Sequence, residues 1–289
     1  MSASSVLFDA PGPRARRLQR VATVVGAVVL LGILGLMVRA LYANGELEAA
    51  KWEGFLTVAD WRYYLLPGIV KTLQAAALSI ALALVFGFVL GAGRLSGIRV
   101  VRWISSIVVE FFRAVPVLIM MIFFFGVYAF NGVFDAQTNP FAAVVTALML
   151  YNGSVIAELL RSGVHSLPAG QSEAGYTIGL TRGQVLRSIQ LPQAVTAMLP
   201  ALVSQLVVIN KDTALGYIIT YPELLQQSNN LASARSNVIP ALLVAAALFI
   251  AINSVLAWAA GRLEMRLARR GQRAAKDPAA VAASAATAD

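Results

Sequence analysis

Cysteine is absent from this chain, and histidine occurs once, at position 165. The first absence excludes a disulfide framework, a thiolate zinc site and a thiol nucleophile. The second leaves His165 without the partners that a metal site or proton relay needs, so a surface or packing role is expected for it. Charge is scarce as well: Asp, Glu, Lys and Arg make up 13% of the 289 residues, about half the share in a soluble domain. No G-x4-G-K-[ST] phosphate loop is present. The nearest stretch, Gly68-Ile69-Val70-Lys71-Thr72, lacks its glycines, so the chain is not expected to bind ATP. Neither H-E-x-x-H nor G-x-S-x-G nor a pair of catalytic carboxylates occurs, and no enzyme chemistry is legible.

What fills the chain instead is apolar sequence. Hydrophobic residues make up 58% of it and the mean hydropathy is +0.73. Nearly uncharged runs of about 20 residues mark membrane helices, and six are expected: 21–41, 67–93, 103–130, 141–160, 192–219 and 237–260. Residues 1–20 read as a polar tail, 42–66 as an extracytoplasmic segment at the lipid interface with Trp and Tyr among its acids, and 263–289 as a disordered tail. Residues 221–236 read as a polar outer loop. Gly87-x3-Gly91 suits close helix packing, and Pro116 is expected to kink the third span.

The net charge of +9 invites a nucleic-acid reading, but the basic residues do not share a face. Arg14, Arg16, Arg17 and Arg20 precede the first run, and Arg94, Arg99 and Arg102 follow the second. Arg161, Arg182 and Arg187 flank or enter the loop after the fourth, and Arg262, Arg266, Arg269, Arg270, Arg273 and Lys276 follow the sixth. This bias places both termini and those loops in the cytoplasm of a multi-pass cell-membrane protein. No small-residue cleavage site follows the first run, so it reads as a retained helix.

One polar interruption, Gln171 to Pro192, separates the fourth and fifth runs. Glu173-Ala174-Gly175 opens it, Gly179 stands six residues after the Glu, and Ile189-x-Leu191-Pro192 closes it. The pattern predicts a short helix, an αL turn at Gly179, a second short helix, and a proline that begins the next span. A helix-turn-helix held at a membrane surface is a docking element.

That spacing resembles the EAA loop of permease subunits of bacterial ABC importers, and residues 67–262 resemble the permeases of polar amino-acid importers. Phe112-Arg113-Ala114-Val115-Pro116 is similar to the family's FRxxP segment. Tyr151-Asn152-Gly153 through Ala157-Glu158-x2-Arg161-x-Gly163 is similar to its fourth-span motif. Leu167-Pro168-x-Gly170-Gln171 and Lys211-Asp212-Thr213-Ala214-Leu215 complete the set, the latter with Ala where Ser is usual. Gly175 departs from the second alanine of the EAA motif. The opening Val6-Leu7-Phe8-Asp9-Ala10-Pro11-Gly12-Pro13 resembles that of the second permease of glutamate importers in high-GC Gram-positive bacteria.

The resemblance implies an all-α membrane protein with the type I importer permease fold, and glutamate as cargo, with glutamine, aspartate or arginine as alternatives. It also implies three kinds of partner: a cytoplasmic ATPase dimer carrying ATP and Mg, an extracytoplasmic solute-binding protein, and a second, different permease subunit. Glu173, Ala174, Gly175, Gly179, Ile189, Leu191 and Pro192 would then dock on the ATPase; the plainer reading is that Glu173 only favours a helix N-terminus. An ion-coupled secondary transporter is the remote alternative, and nothing in the sequence supplies its ion site.

Charges within the apolar runs are the remaining candidates, since ionisable groups in lipid are expensive. Arg113, Asn152, Lys211, Asp212 and Thr213 are candidates for the substrate pathway. Glu110, Pro116, Glu158 and Arg161 are candidates for structure or gating. Arg113 is placed near mid-membrane, about 15 Å past Trp103, where it would bind a carboxylate; pairing with Glu110 at i,i+3 is the competing reading.

Overall fold

The computed structural model describes residues 12–276, and every regular element among them is helical. The first helix, α1 (Pro13–Ala43), starts on a proline whose missing N–H costs nothing there. It takes up residues 13–20, which the sequence assigns to the tail; residues 1–11 lie outside the described residues. None of α1 is buried against the rest of the chain.

The segment that follows folds back on the body instead of merely lying at an interface. It comprises α2 (Ala49–Trp52), a 3-10 turn, α3 (Val58–Asp60) and a π turn that leads into α4 (Leu66–Leu95). Its indoles serve the chain itself: Trp52 Nε1 donates to the Glu46 carbonyl at 3.0 Å and Trp61 Nε1 to the Phe55 carbonyl at 2.8 Å.

The expected third span is two helices, α5 (Arg99–Ala114) and α6 (Val117–Phe130), inclined by 99°. Val115 between them is extended (φ −84, ψ 125) because a residue before proline is pushed out of the α region. The next helix, α7 (Asn139–His165), is the most buried one and packs along α4. Gly87 faces Gly153 and Ile156, and Gly91 faces Ala157 and Leu160. Both residue numbers rise together, so α4 and α7 run parallel, and the chain between them must cross back. The bent pair is therefore one broken span. Counted so, six spans are long and apolar enough to cross a membrane.

Two short helices, α8 (Gly170–Thr177) and α9 (Arg182–Val185), precede a π turn and α10 (Leu191–Asp212). After a 3-10 turn at Thr213–Ile219 comes α11 (Leu224–Arg235), where the sequence predicts a loop. Its polar composition hides a buried row, Leu224, Ser228, Leu231 and Ala232, spaced four, three and one apart. Leu224, Leu231 and Ala232 cluster with Phe55 and Leu65, and Arg235 pairs with buried Asp60 at 3.0 Å. The last helix, α12 (Val238–Lys276), carries the chain past 262; residues 263–276, expected to be disordered, are helical, and the remainder lies outside the described residues.

Glu223 caps α11, accepting from the Leu225 and Gln226 N–H groups at 2.8 Å each while itself fully buried. Burial pushes its carboxyl up to about 7, against the downward pull of those two donors. From its ordinary value of 4.5 to about 7, the unfolded chain releases a proton that the folded chain keeps. Stability therefore falls as pH rises through that window and levels off above it. The melting midpoint of the purified chain is expected to drop between pH 5 and pH 7, and Glu223→Gln to flatten the drop. Equal slopes in both would remove Glu223 as the cause.

Candidate functional site

The end of the bundle that carries Arg94 and His165 also carries the α8–α9 elbow. Helix α8 ends in a Schellman turn: Leu180 N–H donates to the Gly175 carbonyl at 3.1 Å and Gly179 N–H to the Tyr176 carbonyl at 3.0 Å. Gly179 takes φ +83, a conformation that side chains resist. Thr181 then caps α9 in a capping box, its backbone N–H donating to Gln184 Oε1 at 2.8 Å.

The two arms close on Gly175. A Cβ there would stand 2.7 Å from Val185 Cγ2 and 3.0 Å from Ile189 Cδ1, so glycine in this position tightens the elbow. Glu173 and Ala174 are left exposed on its surface, while Ile189 and Leu191 are half-buried beneath. Pro192 opens α10 where a proline is tolerated. Between elbow and bundle lies a cavity of about 300 Å³ lined by Leu95, Val164, His165, Tyr176, Arg182 and Gln190 among others. His165 Nδ1 is 2.7 Å from the Arg161 carbonyl; a carbonyl only accepts, so this nitrogen carries the proton.

Beside the elbow, five charges from three helices interlock. Arg94, in the last turn of α4, reaches Glu110 of α5 at 3.0 Å and Glu158 of α7 at 2.9 Å. Glu158 also takes Arg161 at 2.6 Å and Arg113 at 3.7 Å, and Arg113 reaches Glu110 at 3.4 Å. Arg113 therefore sits level with the ends of α4 and α7, not near mid-membrane. The reason is the break: α5 stays at the basic end, and the crossing is left to α6, about 21 Å long at 1.5 Å per residue. Pro116 ends α5 outright where a kink was expected. Arg94 is missing from the sequence-based candidates because its partners are 16 and 64 positions away.

Within the bundle, Asn152 is fully buried; its amide donates to the Leu148 carbonyl at 3.0 Å and its Oδ1 accepts from Gln205 at 2.6 Å. The helix is unbroken there. Asn210 donates to Asn253 Oδ1 at 3.3 Å, and Thr213 caps back to the Asn210 carbonyl at 2.7 Å. Thr213 is buried, Asp212 half-buried and Lys211 exposed. Asn253 escaped the sequence reading, although an amide inside the apolar run 237–260 was a signal. No cluster of His, Cys, Asp or Glu able to hold a metal occurs among the described residues.

These features define a polytopic helical membrane protein with a stiff surface elbow that presents an acid at its basic end. The model for the family described as binding-protein-dependent transport system inner membrane component matches residues 83–269, and the chain belongs to that family. It is 48% identical over 237 residues to the glutamate transport system permease protein GluD of Corynebacterium glutamicum, covering 82% of this chain and 86% of that one. It is 34% identical over 206 residues to the probable glutamine ABC transporter permease protein GlnP of Bacillus subtilis, covering 70% and 93%. Among solved structures, a crystal structure of an amino acid ABC transporter with histidines shares the fold at TM-score 0.66 and 23% identity, over 73% of this chain and 98% of that one. An inward-facing form of the MetNI methionine ABC transporter does so at TM-score 0.60 and 18% identity, over 70% and 95%.

Proposed function

We propose that this chain is the permease subunit of an ATP-driven, binding-protein-dependent importer of glutamate, lying in the cell membrane with both termini in the cytoplasm. The observation that carries the coupling role is the elbow. Its turn is set by Gly179, its arms are closed on Gly175, and Glu173 projects from an element too polar for lipid. An element stiffened in this way transmits force where a floppy loop would absorb it. ATP and Mg belong to a separate ATPase dimer that docks on Glu173 and Ala174, and a solute-binding protein delivers cargo from the other side. The substrate rests on the likeness to the glutamate permease, and the second permease is taken to be a different chain.

Glu173→Lys tests the coupling. The variant is expected to insert in the membrane normally and to lose glutamate uptake at least tenfold, because it sets a cation where the ATPase groove takes an acid. Uptake at the unmodified rate would overturn the role. Cells lacking the chain, assayed with labelled glutamate, glutamine and arginine with and without re-expression, test the cargo. Selective loss and rescue of glutamate uptake is expected; rescue of another amino acid instead would reassign the substrate.

A further inference from the structure

The cavity between elbow and bundle has a lining that the coupling role leaves unused. Its volume of about 300 Å³ is at the small end of the range for ligand sites. His165, at the end of α7, stands on the bundle wall. Ser172 and Tyr176 of α8, Arg182 of α9 and Gln190 of the π turn stand on the elbow wall. No aspartate or glutamate lines the cavity.

The elbow wall holds donors that nothing in the chain takes up. The Arg182 guanidinium, the Gln190 amide and the Tyr176 hydroxyl make no hydrogen bond or ion pair among the described residues. A guanidinium does not shed its charge, so Arg182 faces this space without a counter-ion. Its planar fork of N–H groups matches the paired oxygens of a carboxylate or phosphate. The bundle wall offers the complement. The His165 Nδ1 proton is taken by the Arg161 carbonyl at 2.7 Å, so in the neutral ring Nε2 is left to accept. The Ser172 hydroxyl donates to the Ala169 carbonyl at 2.8 Å, which leaves its oxygen to accept as well. Donors in excess with an acceptor opposite select an oxyanion that carries a proton of its own. Hydrogen phosphate has one on oxygen, and an amino acid has three on its ammonium. Because Arg182 belongs to the elbow and His165 to α7, an anion held by both ties the two together.

We propose that this cavity binds a small cytoplasmic oxyanion, hydrogen phosphate or an amino-acid zwitterion, and that the bound anion clamps the elbow to the end of α7 and slows transport. The proposal rests on the importer reading for the side of the membrane and for the movement it brakes; the binding itself does not depend on that reading.

Binding is tested first on the detergent-solubilised full chain. Potassium phosphate or potassium glutamate is compared with potassium chloride at equal ionic strength. One of the two is expected to raise the melting midpoint by about 3 °C at ten times its dissociation constant, and the salt that gives the larger rise identifies the oxyanion. Arg182→Gln is expected to abolish the rise and Arg182→Lys to keep part of it. Arg187→Gln, at an exposed arginine outside the lining, is expected to keep all of it. No rise with either salt would overturn the site. So would a rise that survives in Arg182→Gln or vanishes in Arg187→Gln, since the anion would then bind elsewhere. The clamp is tested on the full complex with its binding protein in membrane vesicles. The same anion on the elbow side, again at ten times its dissociation constant, is expected to lower uptake about tenfold, in proportion to the sites left empty. Arg182→Gln is expected to escape this loss. Equal sensitivity of the two complexes, or none in either, would overturn the clamp. If the unmodified complex carries no amino acid at all, the importer reading fails, while the melting measurements still decide the site.

Discussion

Glu158→Gln is expected to destabilise the chain by about 3 kcal/mol, the lower part of the range for breaking a buried charge pair, whereas Glu110→Gln should cost well under half of that. The two acids differ in burial and in what depends on them. Glu158 is 18% exposed, accepts hydrogen bonds from Arg161 and forms ion pairs with Arg94 and Arg113, while Glu110 is 58% exposed and shares Arg94 and Arg113 with it. Removing the Glu158 charge leaves Arg94, only 9% exposed at the end of α4, with a single solvated partner and two other guanidinium groups nearby. Three like charges in that space repel one another, and solvent screens them poorly where Arg94 sits. The folded state of a domain is worth roughly 5–15 kcal/mol in all, so the Glu158 variant should still fold but melt well below the unmodified chain. Melting of the detergent-solubilised chain, or the yield of monodisperse protein, measures this. Equal midpoints for the two variants would show that the cluster is held together by packing and not by its shared acid.

The same cluster shows where the sequence stops being legible. Glu158 and Arg161, or Glu110 and Arg113, are one helical turn apart, so each pair can be read locally. That Arg94 joins them depends on how α4, α5 and α7 meet, which no local rule states. Pro116 announces an interruption, yet the 99° bend and the resulting shift of Arg113 to the basic end follow from α5 being held by those same charges. The elbow was legible for the opposite reason. A Schellman glycine, a capping box and a helix-opening proline are all neighbours in sequence, and their partners are within a few residues. Helix α11 was misread although its signal was present. Four buried positions on one face were outweighed by the polar residues between them, and the cap that starts the helix, Glu223, became visible only with its burial against α4. There Leu224 N–H donates to Thr72 at 3.0 Å and the Tyr221 hydroxyl to the Lys71 carbonyl at 2.8 Å.

Gly87→Val is expected to prevent the bundle from closing, and even Gly87→Ala should cost on the order of 1–3 kcal/mol, the usual penalty for overpacking. A Cβ at position 87 would lie 2.7 Å from the Gly153 carbonyl oxygen and equally close to Ile156 Cβ and Cγ2. None of these is the free end of a flexible side chain, so the helices themselves must part. Position 91 repeats the contact one turn on, 2.8 Å from Leu160 Cδ2, and from the other side a Cβ at Gly153 would stand 2.6 Å from the Phe86 ring. The seam is thus built from glycines on both helices, and separating it anywhere strains it throughout. Gly126 in α6 is the control, since a Cβ there meets nothing within 4 Å. Gly126→Ala should be neutral or gain up to about 1 kcal/mol from helix propensity. The comparison isolates packing from propensity, because both substitutions add one methyl to a glycine within a helix. If the two alanine variants melt together, the parallel contact of α4 and α7 is loose enough to absorb a methyl group, and the close approach along this seam does not hold the bundle. If only the Gly87 variant falls, the elbow is anchored as well: α7 ends at His165, five residues before α8 begins, and whatever moves α7 against α4 moves the elbow with it.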